Sequence, residues 1–120
     1  MGNKIVHWEL MGPDGGAMAG FYKDMFGWES EPVPGFDGYH MVDGDHAGLG
    51  GAVGKGSEEM PAYLTMYIEV ASINEHLAKI EAAGGGTVVP RTVVPDMVVF
   101  AMFADPAGNL VGLVEQDTPA

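Results

Sequence analysis

Val98-Val99-Phe100-Ala101-Met102-Phe103-Ala104-Asp105-Pro106-Ala107-Gly108-Asn109-Leu110-Val111-Gly112-Leu113-Val114-Glu115 reads as a strand, a tight turn and a second strand. Pro106 presets φ for a turn, Gly108 supplies a positive φ, and Asp105 and Asn109 carry side chains that bond back to nearby amides. Both flanks are rich in β-branched and aromatic residues, which suit a pleated, half-buried surface. The stretch is a β-hairpin, and the rest of the chain is read outward from it.

Upstream, the grammar of the second half is a strand over 62–70, a helix begun by Ser72, and a strand over 87–89 that leads into the hairpin, with 91–94 either continuing that strand or forming a loop. In the first of these strands Tyr63, Thr65, Tyr67 and Glu69 alternate with Leu64, Met66, Ile68 and Val70, so each set lines one face. Ser72 with Glu75 three residues on has the form of a capping box. Ile73, Leu77 and Ile80 form the apolar stripe of the helix, and Gly84-Gly85-Gly86 ends it.

The first half has the same order. Residues 5–10 alternate as a strand, with Ile5, His7 and Glu9 on one face and Val6, Trp8 and Leu10 on the other. Apolar residues at Met18, Phe21, Tyr22, Met25 and Phe26 have helical spacing, which predicts a helix over 17–26 stopped by Gly27. A short extended piece runs from Trp28 to Pro32 and Pro34. A strand is expected over 38–42, a turn at 43–45, a glycine-rich edge strand or loop over 47–53, and a polar connector over 55–61. The repeat is offset by about 57 residues and is one of element order rather than of identity, the mark of paired modules. The reading is one α+β domain, with module 1 at about 1–57 and module 2 at about 58–120.

Composition narrows the function. The 120 residues are 47% hydrophobic and 18% charged, a globular balance. Seventeen acids against five bases give a formal charge of −12, and the bases are scattered, so nucleic acid and anionic membranes are not expected partners. No run reaches the roughly 18 apolar residues of a membrane helix. The absence of cysteine removes thiolate nucleophiles, disulfides and thiolate metal sites. A cytoplasmic location is expected. No phosphate-loop signature follows the glycine-rich segments, and no Gly-x-Ser-x-Gly elbow occurs.

Phe21-Tyr22-x-x-x-Phe26-Gly27-Trp28 after a strand, Ile68-Glu69-Val70 before a helix running to Ala83-Gly84-Gly85, and Asp105-Pro106-x-Gly108-Asn109 before the last strand resemble the vicinal oxygen chelate superfamily. Glyoxalases, extradiol dioxygenases, fosfomycin-modifying enzymes and bleomycin-binding resistance proteins belong to it. The resemblance spans the chain and implies two βαβββ modules whose mixed sheets curl around a central cavity. It also implies a divalent metal held by His and Glu ligands from four strands. His7 matches one ligand position. The others fall at Thr65, at Gly112 and within 49–54, where no acid or histidine is present.

One ligand position in four does not hold a catalytic metal. The expectation is therefore metal-independent binding of a small, largely apolar molecule, with His7, Glu9, Thr65, Tyr67 and Gly112 as ligand-binding candidates, no cofactor, and a homodimer as in similar single-domain members. A divalent-metal lyase or dioxygenase is the alternative. A metal-free isomerase or lyase using His7 and Glu9 is a further one, since a strand aims those two side chains the same way. Each candidate has a plainer reading: His7 as a half-buried structural histidine, His7 with Glu9 as a polar pair in the cavity wall, and Thr65 with Tyr67 as packing. His40 and His46 are weighed with His7 as a metal site outside the family pattern, against ordinary surface histidines, and His76 is expected in solvent. Nine methionines suit an adaptable apolar pocket and equally an ordinary core.

Overall fold

The structure, a computed structural model, describes residues 2–116. The order of elements is β1 (Ile5–Gly12), α1 (Gly15–Phe26), β2 (Glu31–Pro32), β3 (Tyr39–Val42), α2 (Gly44–Ala47), β4 (Gly51–Lys55), β5 (Tyr63–Val70), α3 (Ile73–Ala82), β6 (Gly86–Val94), β7 (Val98–Ala104) and β8 (Leu110–Glu115). Apart from the single turn of α2, βαβββ occurs twice, and the fold is α+β as expected. The backbone separates into two compact units: His7–Thr65, and the described residues on either side of it. Among the described residues no helix is long and apolar enough to cross a membrane.

In the unit after Thr65, β5 and β8 pair in parallel, with Tyr67 opposite Gly112, and β8, β7 and β6 follow as antiparallel neighbours. The hairpin turn is held as its side chains require. Asp105 Oδ1 accepts from the amides of Ala107 and Asn109 at 2.9 Å each, the Asn109 side chain donates to Asp105 Oδ2 at 2.9 Å, and Gly108 has φ 95°. These bonds hold the Asp105 carboxyl below its usual range. Helix α3 starts at Ser72, whose hydroxyl accepts from the Glu75 amide at 3.2 Å. Its stripe, Ile73 and Leu77 with Ile80 beside them, packs on Val70, Val99, Ala101 and Leu113 to form the core. Strand β6 runs unbroken through Arg91, bulged twice against β7, which resolves the 91–94 alternative in favour of strand.

In the His7–Thr65 unit, β4 lies between β3 and β1, antiparallel to the first and parallel to the second. The glycine-rich stretch is therefore an interior strand, not an edge strand or loop. The reason is close packing: a Cβ on Gly51 would lie 2.1 Å from the Trp8 ring, and one on Gly54 2.7 Å from the Gly38 carbonyl oxygen. Residues 43–45 are the cap and first two residues of α2 rather than a bare turn, because Asp43 caps the helix by accepting from the His46 amide. Helix α1 begins two residues earlier than its apolar spacing predicts, since Asp14 accepts from the Ala17 amide and Gly15 is small enough to lie against Gly38. Gly27, at φ 75°, closes the helix and turns the chain so that Trp28 stacks on Tyr22 (5.5 Å, 14°) and meets Trp8 (5.1 Å).

Candidate functional site

Strand β1 carries His7 and Glu9 on one face, and the pairing of β1 with β4 and of β4 with β3 decides what stands beside them. Glu9 lies opposite Ala52, and Ala52 opposite Met41. Two residues along the same face, Met11 lies opposite Gly54, and Gly54 opposite Tyr39. Small residues on β4 leave room for Tyr39 to lean across the strand towards β1. Its hydroxyl donates to Glu9 Oε2 at 2.6 Å and lies 3.0 Å from His7 Nε2. Tyr63, at the start of β5, donates to Glu9 Oε1 at 3.5 Å. His7 Nε2 is 3.9 Å from Glu9 Oε2.

Glu9 is 7% exposed, so its carboxylate has exchanged most of its water for phenol hydroxyls. A carboxylate accepts only, and charge-assisted O–H donors are the strongest neutral partners it can have. The two tyrosines respond in kind. Burial, and then the Glu9 charge, drive the Tyr39 hydroxyl far above its ordinary range and push Tyr63 up to about 12. Both therefore stay protonated as donors. His7 moves the other way: burial lowers its pKa, and the nearby Glu9 charge offsets part of that. The network is a buried anion, two fixed hydroxyl donors and an imidazole biased to its neutral form. Such a set can orient a polar group of a bound molecule, or relay a proton between His7 and Glu9 through Tyr39.

His7 and Glu9 are thus brought together, as their spacing in β1 requires. Thr65 is 4% exposed and belongs to the same unit, on the face of Tyr63. Tyr67 and Gly112 belong to the other unit, where they are register partners. There Tyr67, 6% exposed, lies flat over Gly112 and meets the edge of Phe100 at 6.5 Å. A Cβ on Gly112 would fall 2.2 Å from the Tyr67 ring. Gly112 is a seat for an aromatic ring.

The remaining histidines do not join the network. His46 bonds Asp43 at 2.9 Å at the surface, His40 is half-buried on β3, and His76 is half-buried on α3 rather than in open solvent. Among the described residues no group of three or more His, Asp or Glu side chains could hold a metal ion. The donors at the expected ligand positions are one imidazole, a buried threonine and a glycine covered by a ring, a set that does not fit a divalent cation.

Tyr39 and Tyr63 are the network members that sequence reasoning passed over. Tyr63 stood on the right face of its strand, and alternation had already grouped it with Thr65 and Tyr67. Tyr39 had no such signal, because its place beside Glu9 depends on β4 lying between β3 and β1.

Comparison with known proteins agrees with the fold. Residues 4–113 match the family model described as Glyoxalase/Bleomycin resistance protein/Dioxygenase superfamily. An anthracycline biosynthesis protein, DnrV of Streptomyces peucetius, is 30% identical over 116 residues, covering 83% of this chain and 42% of its own length. CFP32 of Mycobacterium bovis, named as a candidate glyoxylase, is 29% identical over 111 residues, covering 88% of this chain and 42% of its own. The chain thus spans about two-fifths of the length of these curated relatives. Among solved structures, methylmalonyl-CoA epimerase from Mycobacterium tuberculosis has the same fold at TM-score 0.68 and 13% identity, over 97% of this chain and 87% of that one. A superfamily member from Vibrio splendidus has TM-score 0.64 at 14% identity, over 95% and 98%. With a family match over nearly its whole length and the twice-repeated βαβββ order, this chain belongs to the Glyoxalase/Bleomycin resistance protein/Dioxygenase superfamily.

Proposed function

We propose that this chain binds a small, largely apolar molecule without a catalytic metal, using the His7–Tyr39–Glu9–Tyr63 network as the polar anchor. The observation that supports this is the bonding of Glu9. The one acid beside His7 on β1 takes hydrogen bonds from two tyrosine hydroxyls, in a structure where no three ligand-type side chains converge among the described residues. Small-molecule sites combine apolar walls with a few placed polar groups, and a buried carboxylate with two phenols supplies the latter. Thr65, buried in the same unit, serves as wall. The same reading takes the protein to be a cytoplasmic homodimer without nucleic-acid or membrane partners.

The test is a thermal-shift screen of the chelator-treated protein against hydroxylated aromatic and alicyclic molecules on one side and Mn2+, Ni2+ and Zn2+ on the other. The reading expects organic molecules to raise the melting temperature and Glu9→Gln to abolish that rise, with metals giving none. Stabilisation by a divalent ion that His7→Gln removes would instead favour a metal-dependent lyase or dioxygenase, the reading that family membership favours. Turnover lost in both His7→Gln and Glu9→Gln, with binding kept, would mark a metal-free isomerase or lyase.

A further inference from the structure

The Tyr39 hydroxyl stands between the two ligand-type side chains of β1. Its oxygen is 3.0 Å from His7 Nε2 and 2.6 Å from Glu9 Oε2, and those two atoms are 3.9 Å apart. A divalent ion holds imidazole nitrogen and carboxylate oxygen at about 2.0–2.2 Å, so neighbouring ligands of a tetrahedral or octahedral ion lie roughly 3.0–3.5 Å from each other. The His7–Glu9 pair is spread wider than that, and a phenol oxygen fills the gap.

The proton count gives the rest. A tyrosine hydroxyl has one hydrogen, and at 2.6 Å from a carboxylate that hydrogen belongs to the bond with Glu9. Towards His7 the same oxygen can then only accept. His7 Nε2 must carry a hydrogen, and a protonated ring nitrogen has no lone pair for a metal. We propose that Tyr39 is a specificity-determining residue which puts a proton bridge where a metal would bridge His7 and Glu9, holding His7 as its Nε2–H tautomer and closing both atoms to divalent cations. The proposal rests on the metal-independent reading above and names the residue that enforces it.

The experiment uses the full-length 15N-labelled chain. Long-range 1H–15N correlation above the imidazole titration range reads the tautomer of each of the four histidines, and His7→Gln identifies the His7 signals. Zinc affinity is measured by calorimetry on wild type, Tyr39→Phe and Tyr63→Phe. The proposal expects His7 as Nε2–H in wild type and in Tyr63→Phe, which removes a donor to Glu9 and leaves the Tyr39 hydroxyl beside His7. It expects a mixed tautomer in Tyr39→Phe, with zinc affinity raised on the order of tenfold. An Nδ1–H His7 in wild type overturns the proposal, and this measurement stands even if Tyr39→Phe does not fold. Weak zinc binding in wild type left unchanged by Tyr39→Phe overturns it while sparing the metal-independent reading. Tight wild-type zinc binding lost in His7→Gln overturns both.

Discussion

Glu9 sits at the centre of the site, and its charge favours the protonated form of each neighbour; burial adds to that effect at Tyr63 and outweighs it at His7. Tyr63 is pushed up to about 12 by burial and by the Glu9 charge. A group whose folded pKa exceeds its unfolded value of about 10 contributes stability below that pH and loses it as pH rises through the folded value. The unfolding midpoint in urea should therefore fall between pH 10 and about 12, and fall less in Tyr63→Phe; equal falls would place the strain elsewhere. His7 runs the other way. Burial lowers its pKa, so its contribution is present above the unfolded value of about 6.5 and is lost as pH falls below it. Stability should drop as pH is lowered from about 6.5 towards 5, and His7→Gln should flatten that part of the curve. An unchanged slope in the variant would mean that His7 is solvated.

Within elements, glycine records where an aromatic ring sits. Gly51 lies under Trp8 and Gly112 under Tyr67, each on the shorter partner of a parallel strand pair. Gly112→Ala forces a Cβ to within 2.2 Å of the Tyr67 ring, an overpacking expected to cost about 1–3 kcal/mol in urea unfolding. Tyr67→Leu should remove most of that cost in the double variant, so a cycle showing strict additivity would contradict the ring-over-glycine contact. These glycines also explain which elements were legible in advance. The closing hairpin and α3 were readable because Asp105, Gly108 and Ser72 act locally, through bonds to amides a few residues away. The stretch at 47–53 looked weak because glycine disfavours strands on its own, whereas here its small size admits Trp8. α2 was read as a turn because only the Asp43 cap separates one from the other.

Across the whole molecule, membership of the superfamily follows from the family match and the element order, and the proposal of metal-free binding rests on particular residues. His7 and Glu9 were visible from alternation in one strand. Tyr39 was not, because the order of β3, β4 and β1 is set by long-range pairing that no local pattern carries. The metal-free proposal rests on Thr65, Gly112 and the tyrosine-bound Glu9, and its rival is a divalent-metal enzyme of the same superfamily. Native mass spectrometry of the protein, freshly purified without chelator or added metal, decides between them most directly. The account predicts a metal-free species, dimeric and open to an organic passenger. A stoichiometric divalent ion on each chain, lost in His7→Gln, would contradict it.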